Sequence, residues 1–354
     1  MGYNSTMKDN TSLALYRKYR PETFEEVIEQ SHVVDVLKSS IETGKVSHAY
    51  LFVGGRGTGK TTVARIFARE IGASVNDVYE IDAASNRKVE EVRELLDGVR
   101  VLPFDSKYKV YIIDEVHMLS KESWGALLKT LEEPPKHVIF ILATTELHKV
   151  PDTITSRCQV FNFKKPTEKT LKGVLENVAK KEGFELEQGI SELLAILGDG
   201  SFRDALGVLQ KVLNFSTSKK VKRNEVEEIT GAPKSTLVNE FLGAFSKNDL
   251  EEGIRTVQKA VSENMDIKLF LKLVILKFRM AIIIRYAPKL EGDMKGDLSL
   301  EDLDFLKSLV KDGGKDAKLN SKSLAILLDA YSNISNAFIP ELPLELALVK
   351  IFEE

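Results

Sequence analysis

The segment Gly54-Gly55-Arg56-Gly57-Thr58-Gly59-Lys60-Thr61 follows an apolar run at 49–53 and precedes a helical pattern with Val63, Ala64, Ile66 and Phe67. A strand, a glycine-rich loop of the form G-x-x-x-x-G-K-[ST] and a helix, in that order, make a phosphate cradle. The glycines let backbone N–H groups wrap phosphates, and the helix N-terminus adds the positive end of its dipole. Gly55, Gly57, Thr58, Gly59 and Thr62 are read as loop contacts to a nucleoside triphosphate. Lys60 is expected to reach the β- and γ-phosphates, and the Thr61 hydroxyl to ligate Mg2+.

Four further apolar runs, at 78–81, 110–113, 138–143 and 160–163, have the length of buried strands and alternate with helical stretches. That alternation predicts a parallel sheet with helices on both faces. The run at 110–113 delivers Asp114 and Glu115 at its C-terminal end, where ligands sit in open α/β sheets. An acidic pair at a strand end is commonplace by itself. Downstream of a phosphate loop, it reads as Asp114 in the Mg2+ shell and Glu115 as general base for the attacking water. The run at 138–143 ends in Thr144-Thr145, whose hydroxyls either orient water near the γ-phosphate or merely cap the strand.

After Pro166 the runs give way to apolar residues at helical spacing, such as Leu171, Val174, Leu175 and Val178. Gly231-Ala232-Pro233 then interrupts the pattern. The expected organisation is a flexible tail at 1–11, an α/β P-loop core at 12–165, a small helical lid at 166–230 and an all-α domain at 231–354. No internal repeat is visible. With 354 residues, two or three domains are in any case expected.

Composition narrows the function classes. Fifty Lys and Arg against 53 Asp and Glu give a net charge of −3, which excludes nucleic-acid binding by bulk charge but not by a local patch. A single cysteine, Cys158, can form neither an internal disulfide nor a Cys-based zinc finger, so a reducing, cytoplasmic setting is expected. The most apolar stretch, 269–284, contains Lys272, Lys277 and Arg279, which a bilayer core would reject. The polar N-terminus lacks an apolar signal core.

The motifs together resemble a known family. Leu15-Tyr16-Arg17-Lys18-Tyr19-Arg20-Pro21 with Phe24, Val27 and Gln30 is similar to the N-terminal adenine-side motif of clamp-loader ATPases. Adding GGRGTGKTT at 54–62, Glu80-Ile81-Asp82-Ala83-Ala84-Ser85, IIDEVHML at 112–119, LLKTLEEPP at 127–135, ILATT at 141–145, TSRC at 155–158 and GSFRDAL at 200–206, the chain closely resembles the gamma/tau subunits of the bacterial DNA polymerase III clamp loader, which are AAA+ ATPases. The dense matches run from about residue 12 to 212. The segment from Ile339 to Leu348 is similar to the end of the family's oligomerising collar.

The resemblance implies roles. Thr145 would be sensor 1, Arg157 an arginine finger reaching the ATP of an adjacent subunit, and Arg203 sensor 2, touching ATP in cis. From composition alone, both arginines would pass for solvated surface residues. Tyr16, Arg20, Val27 and Ile28 would line adenine and ribose. The family usually carries a four-cysteine zinc module before the IDAAS strand. Here Ile71-Gly72-Ala73-Ser74-Val75-Asn76-Asp77 stands in its place, so ATP and Mg2+ are expected but no zinc. The chain ends at Glu354 without the long tau extension, which suggests a gamma-like chain or a shortened tau.

The expected partners are other subunits of a ring-shaped, pentameric assembly, the sliding clamp and primer–template DNA, with no membrane. Leu102 and Phe104, in an apolar loop after a helix patterned over 89–99, are candidate clamp contacts; the plain alternative is a loop tucked onto its own core. Arg87, Lys88 and Lys121 lie at helix starts and are candidates for tracking DNA phosphates, or else solvated helix ends. Two rival readings are another AAA+ DNA motor, such as a branch-migration helicase, and a non-hydrolysing scaffold subunit. The family-like IDAAS, LEEPP and SRC segments speak against the first. The presence of both Lys60 and Glu115 speaks against the second.

Overall fold

A computed structural model describes residues 13–85, 95, 97–290, 300–313 and 317–353. The chain divides into two compact units, one of Met1–Leu171 with Ala195–Gly207, the other of Lys172–Leu194 with Val208–Glu354.

The first unit is built on five parallel strands: β1 (Ala49–Val53), β2 (Val78–Asp82), β3 (Lys109–Asp114), β4 (Val138–Thr144) and β5 (Gln159–Asn162). Their order is β2-β3-β4-β1-β5. Each coincides with one of the five apolar runs. Every residue of β4 is buried, as a central strand covered on both faces must be. Tyr50 and Phe52 of β1 face one core layer with Val63, Ala64, Ile66 and Phe67 of the following helix, α3 (Lys60–Glu70). Ala49 and Leu51 face the opposite layer, with Trp124, Leu127 and Leu131 of α4 (Lys121–Glu132). Two earlier helices, α1 (Leu15–Lys18) and α2 (Ser31–Glu42), complete the N-terminal side. Because all five strands run the same way, their C-terminal ends share one edge, and the candidate residues after β1, β3 and β4 meet there.

The stretch at 71–77 turns tightly, with Gly72 at φ +86° and a 3-10 turn over Val75–Asp77. Asp77 is fully buried and accepts hydrogen bonds from the backbone N–H groups of Phe104 (2.6 Å), Asp105 (3.1 Å) and Ser106 (3.1 Å) and from Ser106 Oγ (2.6 Å). Burial alone would raise its carboxyl. The converging donors more than offset that and hold it well below the usual carboxylate range. Asp77 thus anchors the loop that carries Leu102 and Phe104.

The second unit is mostly helical. Between α4 and residue 223 the chain forms α5 (Asp152–Thr155), α6 (Glu168–Lys181), α7 (Ile190–Leu197) and α8 (Phe202–Phe215). The second unit's helices from there onward are α9 (Arg223–Thr230), α10 (Ser235–Lys247), α11 (Leu250–Ser262), α12 (Ile267–Tyr286), α13 (Leu300–Asp312), α14 (Ser321–Ile334) and α15 (Leu342–Glu353). Phe245 and Phe278 pack edge to face at 5.2 Å, as do Phe241 and Phe270 at 5.4 Å. A short parallel pair, β6 (Glu185–Leu186) with β7 (Lys220–Val221), lies in the stretch that reads as helical throughout. Two-residue strands are too short to leave a period-two pattern. Among the described residues no helix is long and apolar enough to cross a membrane.

Candidate active site

The phosphate loop is fixed by steric demands that glycine meets. Gly57 has φ +69° and Gly59, the N-cap of α3, has φ +101°. A Cβ on Gly57 would lie 2.0 Å from Ser201 Oγ, and one on Gly54 would lie 2.7 Å from Phe163 Cβ. The Phe202 N–H donates to Gly57 O at 3.1 Å, so the segment 195–207 closes directly onto the loop. Thr58 is buried and its hydroxyl donates to Gly55 O at 2.9 Å. Lys60 is also buried, with Nζ donating to the carbonyls of Gly54 (2.8 Å) and Gly55 (2.9 Å). Burial pushes its ammonium below the ordinary lysine value, while Glu115 and Asp114 act the other way. A buried cation on a rim of backbone amides suits phosphate oxygens.

The two acidic residues face different partners. Thr61 Oγ1 donates to Asp114 Oδ2 at 2.7 Å, which brings together the two side chains expected to hold Mg2+. Glu115 has left-handed backbone, φ 46° and ψ 44°, a conformation rare for a residue with a side chain. Thr145 Oγ1 donates to Glu115 Oε2 at 3.1 Å, and the Glu115 N–H donates to Asp114 Oδ1 at 3.0 Å. Hard oxygen donors beside a glycine cradle suit Mg2+ and triphosphate.

Around the loop, Arg20 Nε donates to Thr62 Oγ1 at 2.9 Å. The Arg203 guanidinium lies 5.7 Å from the Tyr16 ring centroid, a cation–π distance. Val27 is half-buried against the sheet core, and Ile28 is exposed. Gln30 is buried and pairs with the backbone of Lys164 through both ends of its amide. Arg157 pairs with Glu132 at 2.8 Å and donates to Thr153 O at 2.7 Å. The neighbouring Cys158 packs against the core, and burial pushes its thiol up to about 12, which keeps it protonated at neutral pH.

Among the surface candidates, Leu102 is 72% and Phe104 83% exposed, so these two side chains stand free of the core although the loop's backbone is held by Asp77. Lys121 is exposed at the start of α4. Arg87, Lys88 and most of the helix patterned over 89–99 lie outside the described residues. Two residues that sequence reasoning passed over belong to this account: Asp77, described above, and His117, whose ring bridges the ends of β3 and β4.

The fold is that of a solved motor. The Holliday junction branch migration motor RuvB of Thermotoga maritima superposes with a TM-score of 0.52 at 22% identity, over 64% of this chain and 78% of that one. Fold and site define a P-loop core of the AAA+ class. A family model described as DNA polymerase III, delta subunit matches residues 29–76 and 72–167. DNA polymerase III subunit tau of Bacillus subtilis is 40% identical over 300 residues, spanning 79% of this chain and 53% of its own. Subunit gamma of Buchnera aphidicola from Schizaphis graminum is 39% identical over 62% of this chain and 66% of its own, and Escherichia coli subunit tau 36% identical over 79% and 47%. The chain belongs to the gamma/tau family of bacterial DNA polymerase III subunits. It spans about half the length of the tau relatives.

Proposed function

We propose that this chain is an ATP-hydrolysing motor subunit of a sliding-clamp loader, which opens the polymerase processivity clamp and places it on primer–template DNA. The observation that carries the proposal is the convergence of Lys60, the Thr61–Asp114 pair and the Thr145–Glu115 pair at one edge of the sheet. The relatives' names support the cellular role. The likeness to a branch migration motor is one of fold alone.

In this reading Lys60 and the loop amides bind the phosphates, with Tyr16, Arg20, Val27 and Ile28 around the base and ribose. Thr61 and Asp114 would hold Mg2+, which when bound supplies charge neutralisation on the transferred phosphoryl group. Glu115 takes a proton from the attacking water, and Thr145 keeps its carboxylate aimed. Arg203 stabilises developing charge in cis. Arg157 does so for a neighbouring subunit. Its pair with Glu132 is partly exposed, and surface pairs contribute only about 0–1 kcal/mol, so exchanging it for a phosphate costs little. The lid at 166–230 and collar at 231–354 would transmit closure and assemble a five-subunit ring in the cytoplasm. Lys121, Arg87 and Lys88 would follow DNA phosphates, and Leu102 and Phe104 would enter the clamp.

Steady-state ATP hydrolysis measured alone, with clamp, with primed DNA and with both tests the proposal. Activity should rise most with both together, and Lys60→Ala should not load clamps. Strand displacement without any clamp dependence would favour the helicase reading and defeat this one. The clamp surface has its own test. A Leu102→Ala/Phe104→Ala double variant should bind the clamp about tenfold to a hundredfold more weakly, the loss typical of buried apolar anchors. Unchanged affinity would remove these residues from the interface.

A further inference from the structure

His117 lies in the 3-10 turn Val116–Met118 that directly follows Glu115, and its side chain is 5% exposed. Nε2 is 3.2 Å from Glu146 Oε1. A carboxylate only accepts, so Nε2 carries the ring proton. In the neutral ring Nδ1 is then an acceptor, and the fully buried Thr144 hydroxyl, 3.0 Å away, is its donor. Thr144 Oγ1 in turn accepts the Glu146 N–H at 3.0 Å. His117, Thr144 and Glu146 therefore close a ring of polar contacts, two of them hydrogen bonds through Thr144 Oγ1, between the turn after β3 and the end of β4. Thr145 lies inside that ring in sequence and donates to Glu115 Oε2 from it.

We infer that His117 is a positioning residue for hydrolysis: by locking the turn after β3 to the end of β4, it sets the hydrogen bond from Thr145 to the base Glu115. The tautomer matters to this role. With its one Nδ1 lone pair taken by the Thr144 hydroxyl, the neutral ring has no proton to give to Glu115 Oε2, which lies 3.5 Å away and stays free to accept from Thr145. The inference rests on the proposal that the chain hydrolyses ATP with Glu115 as base.

The test uses the full chain and three variants, His117→Ala, His117→Asn and His117→Gln. Each is measured for kcat and KM of ATP hydrolysis, for affinity with a fluorescent ATP analogue, and for thermal stability. His117→Ala should lose roughly 10- to 100-fold in kcat, the effect of misplacing a reacting group by about an ångström, with KM and affinity within about twofold of wild type. His117→Asn, whose Oδ1 can accept from Thr144, should recover most of the loss, and His117→Gln less. A His117→Ala protein with kcat within about twofold of wild type would overturn the inference. So would a parallel fall of kcat, affinity and melting temperature that Asn does not rescue. A wild-type chain that binds nucleotide but never hydrolyses it would sink the underlying proposal and this inference with it. A hydrolysing wild type with an equally active His117→Ala sinks only the inference.

Discussion

Glu115→Gln is expected to keep ATP bound and to stop its hydrolysis. Glutamine preserves the shape of the side chain, and its Oε1 can still accept the hydrogen bond from Thr145 Oγ1 that wild-type Glu115 accepts at 3.1 Å. What it lacks is a basic site for the proton of the attacking water. Removing a positioned general base typically costs 10²–10⁴ in rate, so kcat should fall by about that factor. Nucleotide affinity should stay within about twofold, because Lys60, the loop amides and the Thr61–Asp114 pair are untouched. Lys60→Ala provides the contrast, since it removes a buried cation from the phosphate rim and should weaken binding itself. Single-turnover hydrolysis and equilibrium nucleotide titration separate the two. A Glu115→Gln protein that hydrolysed within about tenfold of wild type would show that some other group takes the proton.

The sheet was legible because each strand is a short apolar run whose length and spacing are local properties. The loop was legible for a related reason, since glycine is demanded at Gly57 by its positive φ. What made a side chain impossible there, the Ser201 hydroxyl arriving from 144 positions away in sequence, was not. From the residues alone Thr145 reads as a strand cap or a water-orienting hydroxyl, the family resemblance adds a sensor role, and neither names Glu115 as its partner. His117 left no signal at all. Its meaning depends on Thr144, which is 27 residues distant, and on the direction in which a turn aims an imidazole. Asp77 was passed over because a carboxylate in a turn is ordinary. Its role comes from three successive N–H groups folded over it from 27 to 29 residues further on. Strand pattern predicts where a site's backbone ends lie, and side-chain networks between those ends are set by tertiary geometry.

The second unit holds a buried ion network that local sequence does not announce. Lys277 was legible only as a charge unfit for a bilayer. In the fold it is buried on α12, with Nζ 2.5 Å from Asp302 Oδ1, 2.7 Å from Ser235 Oγ and 2.8 Å from Asn239 Oδ1. Asp302 is buried too, and its other oxygen accepts from Arg223 Nη1 at 3.0 Å. Asp302→Ala would leave the Lys277 ammonium with neutral partners only. Breaking a buried pair in this way costs about 3–5 kcal/mol. Replacing both members with apolar residues, Lys277→Met with Asp302→Leu, should recover most of that, because the desolvation penalty goes with the charges. Arg223 should keep its bond to Glu227, 3.0 Å in the wild-type fold, in either variant.

The pH dependence follows from the same contacts. Burial alone would raise the Asp302 carboxyl, but Lys277 and Arg223 hold it below the ordinary aspartate value of about 3.9. A carboxylate with a lowered folded value contributes its full stabilisation above the unfolded value and loses it as pH falls through the folded one. The gap between wild type and Asp302→Ala should therefore be widest at neutral pH and shrink only below about pH 4. Urea denaturation followed by circular dichroism, which the helices of the second unit dominate, measures the gap at each pH. A gap that is small at neutral pH, or that does not narrow in acid, would mean that the network contributes specificity without net stability.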